Sequence, residues 1–160
     1  MPDLWGVALG GAIGVAGTVA TALIDRRGRR QALRAAFRAE IKAIIEITEA
    51  RKHEDLAIEV AKRFRGGEDV TLTYFGIDDG AARNPIFDAN VGRIGELGAT
   101  FAAKVSEFYM GVLANRTTMR AFSEGQMDDH STTKRAEQIE ADLEIWRRTK
   151  LVGEWLVREL

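Results

Sequence analysis

LWGVALGGAIGVAGTVATALI, residues 4–24, is an uncharged run that stops at Asp25 and is followed at once by Arg26, Arg27, Arg29 and Arg30. At about 1.5 Å of rise per residue, a helix of this length measures roughly 30 Å, the thickness of a bilayer's hydrocarbon core. The run therefore predicts one transmembrane helix. A cleaved secretory signal would carry basic residues before its apolar core, whereas only Met1, Pro2 and Asp3 precede this one. A helix buried in a soluble core is the competing reading, because Gly and Ala lower the hydropathy; the arginines at its end favour the span. A helix lying flat in the interface would need a charged face, and the run has none.

Charge beside the run sets the orientation. From Asp25 to Lys42 the chain carries seven Lys or Arg against two acids, a flank of +5, while the other side offers Asp3 and the terminal amine. This bias predicts a single-pass protein of the inner (cytoplasmic) membrane with its C-terminal domain in the cytoplasm. Arg26, Arg27, Arg29, Arg30 and Arg34 are the candidate topology and lipid-headgroup residues, each basic side chain near an anionic surface contributing about 1 kcal/mol. Setting topology is the commoner use of such a cluster. Trp5 suits the aromatic belt at the other mouth of the span.

Inside the run, Gly6, Gly10, Gly14, Thr18 and Ala22 recur every four residues and form a row of small side chains along one face. In lipid such a row lets helix backbones approach closely, so it is the candidate transmembrane packing seam and points to a homo-oligomer. Gly and Ala are also simply common in membrane helices, which is the bland alternative.

The 160 residues allow one span and one further domain. Cysteine is absent, so disulfides and thiolate metal sites are excluded. The net charge of −1 conceals an asymmetry, because residues 43–160 hold 16 Lys or Arg against 21 Asp or Glu. An acidic distal domain argues against nucleic acid as its partner.

Residues 25–64 are rich in Ala, Arg, Glu, Lys and Ile without proline, and read as a basic amphipathic stalk helix. Leu33, Phe37, Ile41, Ile44 and Thr48, then Leu56, Val60 and Phe64, keep a spacing near one helical turn, with a polar gap at Arg51–Asp55. Gly66 or Gly67 stops this helix, and residues 65–84 form a loop in which VTLTYF (70–75) suits an extended segment. Asn84 followed by Pro85 reads as a helix start. Residues 85–160 read as the helical bundle domain. In it Phe87, Val91 and Ile94 form one stripe, Gly95 and Gly98 a corner, and Phe101, Val105, Phe108, Val112 and Met119 a long helix. Ser123–Ser131 is a polar connection. Ile139, Leu143, Trp146, Val152, Leu156 and Leu160 line the last helix, from about Thr132 to Leu160. The expected fold class is all-α, an N-terminal transmembrane helix followed by a small helical bundle with a short extended loop.

Pro85, Ile86, Phe87, Asn90, Ile94, Gly95, Leu97, Phe108 and Tyr109, in PIFDANVGRIGELGATFAAKVSEFYMGVL, make a recognisable spacing. It resembles a pattern in uncharacterised small bacterial and phage-borne membrane proteins, as does the layout of an N-terminal span before an arginine-rich helix. The resemblance covers about a fifth of the chain well and implies a membrane-tethered helical domain with no catalytic role to carry over.

Catalytic and metal sites fare poorly on spacing. Asp128, Asp129 and His130 are consecutive in a loop and cannot all face one ion, and Asp78-Asp79-Gly80 lacks the alternating acids of a calcium loop. His53 sits in a polar gap, no Gly-x-Ser-x-Gly occurs, and the glycines of the apolar run lack the lysine of a phosphate loop. Asn90 is expected to bond the Gly95–Gly98 corner. The sequence thus predicts no enzyme, no cofactor and no metal. The expected function is a membrane-anchored, non-enzymatic helical interaction module binding membrane lipid and an unidentified protein partner. The alternative is a membrane-active oligomer such as a small pore or a phage lysis component.

Overall fold

The computed structural model describes residues 4–72 and 84–160, and for residues 4–23 the backbone alone. The described residues are all helical where they are regular. Helix α1 runs Leu4–Ala50, α2 His53–Arg65, α3 Pro85–Asn90, a 3₁₀ segment Val91–Leu97, α4 Ala99–Ser123 and α5 Thr132–Glu159.

Helices α1 and α2 behave as one broken rod. The break falls at the polar gap, where Lys52 takes a left-handed conformation (φ 52°) and its carbonyl accepts from the Leu56 N–H at 3.0 Å. The rod lies antiparallel to α5: Arg38 reaches the Val157 carbonyl (2.7 Å), Lys150 pairs with Glu49 (2.7 Å), Arg147 with Glu54 (2.7 Å) and Arg65 with Glu140 (2.7 Å). Each such exposed ion pair is worth little, about 0–1 kcal/mol, but their order along the chain fixes the direction of the two partners. Helix α4 also runs antiparallel to α5, with Phe101 against Trp155 near one end and Thr118 bonded to Asp142 near the other. The rod and α4 are therefore parallel, so the chain enters α4 at the end where the rod began, and the described segment before it, residues 84–98, packs against α1.

Two apolar cores result. The larger draws on Leu33, Phe37, Ile41 and Ile45 of α1, spaced by four, with Ile94, Leu97, Val105, Phe108, Tyr109, Val112 and Leu156. The smaller joins Ala61 and Phe64 of α2 to Phe122 of α4 and Ala136 and Ile139 of α5. Helices α4 and α5 enter both. Ile45 rather than Ile44 is fully buried, and Leu56 is 57 % exposed, so the rod turns its inner face by part of a turn at the Lys52 break.

The N-terminal span requires correction. Among the described residues no helix is long and apolar enough to cross a membrane, which overturns placement in the inner membrane as a single-pass protein. The described side chains of α1, from Ile24 on, are those of a charged amphipathic helix that continues without a break from the apolar run into the bundle. The row Gly6, Gly10, Gly14, Thr18 and Ala22 lies outside the residues whose side chains are described, and residues 73–75 of the expected extended segment lie outside the described residues altogether.

Helices α4 and α5 meet most closely at two glycines. A Cβ on Gly153 would stand 2.5 Å from the Phe108 ring and 2.9 Å from Ile45, and one on Gly111 would collide with the Thr149 hydroxyl. Gly28, in the exposed part of α1, has nothing within 4 Å of the same position. The same substitution should therefore have opposite signs at two helical glycines. Gly153→Ala forces the α4–α5–α1 junction apart and should cost about 1–3 kcal/mol, whereas Gly28→Ala should stabilise by about 0.5–1 kcal/mol, both read from urea-unfolding midpoints.

Candidate functional site

The polar groups that the fold concentrates lie where the segment before α4 lands on α1. Glu40, half-buried on α1, accepts hydrogen bonds from the backbone N–H of Ile86 (2.8 Å) and of Phe87 (3.0 Å), the free donors at the start of α3. The Tyr109 hydroxyl of α4 donates to the same carboxylate at 2.5 Å. A distant carboxylate thus does what the local sequence was expected to do: Asn84 makes no side-chain cap, and only Pro85 fits its expected part at the first helical position. Burial, the hydrogen bond to Glu40 and the negative charges of Glu40 and Asp88 push the Tyr109 hydroxyl's pKa well above the usual phenol range. Tyr109 is a donor at every physiological pH. Its ring stacks on Phe87 (4.1 Å between centroids) and meets Phe37 and Phe108 edge-on at 6.2 and 5.2 Å.

The other end of this segment is held by the opposite charge. Arg30 of α1 donates to the Leu97 carbonyl at 2.7 Å, at the end of the 3₁₀ segment, and Gly98 next to it takes φ 93°. Carboxylate at the N–H end and guanidinium at the C=O end both match the dipole of the segment between them. Asn90 bonds the Ile86 carbonyl (2.8 Å) and receives Arg93 (3.3 Å), so it closes α3 on itself and not the Gly95–Gly98 corner expected for it.

The arginines singled out in the sequence divide into two groups. Arg30 and Arg34 are turned into the bundle: the Arg34 guanidinium sits 4.5 Å from the Phe101 ring, which packs on Trp155 at 5.5 Å. Arg38, one turn on, bonds the last turn of α5. Arg26, Arg27 and Arg29 are exposed and make no hydrogen bond or ion pair among the described residues; Arg29 and Arg26 add their fields to the hydrogen bond from Arg93 that holds the Glu96 carboxyl below its usual range.

At the far end, Arg135 plays the part that Glu40 plays here. It is buried, donates to Asp69 (2.8 Å), to the Asp128 carbonyl (2.7 Å) and to the His130 carbonyl (3.0 Å), and lies over the Phe64 ring. One guanidinium ties α5 to the chain after α2 and to the α4–α5 connection. The Asp128–His130 triplet serves this joint through its backbone. Among the described residues there is no group of three or more His, Asp or Glu able to hold a metal ion.

Asp142 is the buried acid that sequence reasoning passed over. It lies between α4 and α5, accepts from the Thr118 hydroxyl at 3.1 Å with one oxygen, and has its other oxygen buried with no partner. Its only sequence signal is an acid among the inward positions of α5, between Ile139 and Trp146. Glu40 gives a similar faint sign, as an acid inside an otherwise basic segment. Compared with protein-family models, with curated proteins and with solved structures, the chain matches none.

Burial pushes the Asp142 carboxyl up to about 6, against the smaller downward pull of the Thr118 bond. A folded-state pKa above the unfolded one adds stability that is complete below the unfolded value near 3.8 and is lost as pH rises to about 6. Asp142→Asn should remove this part of the pH dependence, leaving a variant more stable than the parent above pH 6 by on the order of 2 kcal/mol, measured by urea unfolding across pH 4–8.

Proposed function

We propose that the chain is a non-enzymatic helical interaction module that works by binding, with the bundle as a rigid base and the N-terminal part of α1 as the element that reaches a partner. One observation carries the reading. Helix α1 is continuous from Leu4 to Ala50, yet its buried positions begin only at Leu33, and residues 24–32 are exposed, with Arg30 reaching the bundle at the Leu97 carbonyl. A stretch of helix with no buried side chain is marginal in water by itself, and glycine weakens it further. Such a helix gains its stability from what it binds.

The charge on it points to the chemistry of the partner. Arg26, Arg27 and Arg29 lie on the exposed turns and make no hydrogen bond or ion pair among the described residues, and the chain beyond residue 42 has an excess of five acids. The acidic surface of a second copy is complementary to this arm, and a homo-oligomer is the assembly we propose. The buried polar groups support a binding role over a catalytic one. Glu40 and Arg135 are each engaged by backbone groups of neighbouring segments and act as joints.

Light scattering of the full chain tests this. At low ionic strength the mass should exceed that of the 17.7 kDa monomer and fall toward it at about 0.5 M salt, since contacts between exposed charges are screened over a few ångströms there. Combined charge reversal at Arg26, Arg27 and Arg29 should give a monomer at every salt concentration. A wild-type chain that is monomeric throughout, or an oligomer indifferent to the reversal, overturns the proposal.

A further inference from the structure

We infer that α3 is a latch that opens by itself, ahead of the bundle, and that the Glu40 carboxylate is its catch. The two halves of the landing segment are held in different ways. The 3₁₀ half buries Ile94 and Leu97 in the larger core and is pinned by Arg30. The α3 half has no buried residue at all; Ile86 and Phe87 lie only half covered. Between them, Val91 is 58 % exposed and Gly92 has open space around it, so the junction can turn while losing only the half-covered Ile86 and Phe87 from the edge of the larger core.

What keeps α3 closed is therefore a short inventory. Glu40 takes the Ile86 and Phe87 N–H groups, the Phe87 ring lies flat on Tyr109 and Ile86 packs at the edge of the larger core, while inside the helix the Asp88 N–H bonds the Asn84 carbonyl at 2.8 Å and the Asn90 side chain the Ile86 carbonyl at 2.8 Å. A six-residue helix is far too short to persist when its donors are released, because the cost of nucleation is spread over so few bonds. Losing Glu40 thus melts α3 as well as freeing it. Opening bares one face of Tyr109 and the carboxylate beside it, between α1 and α4, while Leu97 stays in place as the anchor. The segment has the features of a low-stability opening unit: few buried apolar contacts on top of a well-packed core. This inference is independent of the self-assembly proposed above.

Native-state amide exchange on the full chain decides it, because the Ile86 and Phe87 amides are bonded directly to the catch. In the wild type, below the unfolding transition, both should exchange at least about 100-fold faster than Val112 and Leu156, at a rate insensitive to added guanidinium. Glu40→Gln keeps the shape but turns an amide donor toward donors, and should speed these two amides at least about tenfold while leaving Val112 and Leu156 unchanged. Tyr109→Phe, which removes one bond of the three, should have a smaller effect in the same place. Wild-type Ile86 and Phe87 amides that follow the denaturant dependence of Val112 overturn the latch, whether or not the variants fold. If Glu40→Gln leaves both amides as they were, or accelerates the core amides equally, Glu40 is not the catch.

Discussion

The carboxylate of Glu40 is the point at which the chain's return journey is fixed. Helices α1–α2 and α4 run in the same direction against α5, so the chain must travel back along the bundle, and nothing in a parallel pair of helices supplies that connection for free. The free N–H groups of α3 would be costly if left without partners beside a packed core. Glu40 answers two of them and Tyr109 completes its shell, which joins α1, α3 and α4 through a single acid. Charge-assisted bonds of this kind are stronger than neutral ones, and the half-buried setting limits competition from water.

Helix α5 supplies the other constraint. It is the common partner of the rod and of α4, and it passes from the larger core to the smaller one along its length. The two cores share α4 and α5, and they would be loosely coupled if these two axes stood far apart. Gly111 and Gly153 prevent this by letting α4 and α5 approach until Thr149 and Phe108 fill the space that a side chain would occupy. The same interface penalises a charged group, and burial there pushes the Asp142 carboxyl up to about 6. Arg135 closes the far end with a desolvated guanidinium whose donors reach two carbonyls and a carboxylate.

The arginines of residues 26–38 illustrate how one composition serves two ends. Read along the chain they are a uniform basic flank. In the fold every fourth one, Arg30, Arg34 and Arg38, turns inward to a 3₁₀ terminus, an aromatic ring and the last turn of α5, while Arg26, Arg27 and Arg29 stay in solvent. Cations at helix C-terminal ends are favoured by the local dipole, and guanidinium over an aromatic face is favoured by the ring's quadrupole.

Helix periodicity was legible in the sequence because burial repeats every three to four residues on any helix that packs: Leu33, Phe37 and Ile41, Val105, Phe108 and Val112, and Ile139 with Leu156 were all picked out by spacing alone. The all-helical class, the stop at Gly66 and the start of α5 near Thr132 follow from the same local physics of propensity and capping. Membrane placement does not follow from the apolar run, since among the described residues no helix is long and apolar enough to cross a membrane. Nor could spacing reveal that Glu40 caps a helix 46 positions away, that Arg135 gathers three segments, or that Asp142 faces Thr118. Those contacts join residues far apart in the chain, and a lone acid or base within a helix looks the same in sequence whether it meets water or a backbone donor. Local chemistry determined which segments are helices; only the packing of α1, α4 and α5 decided which charges became joints.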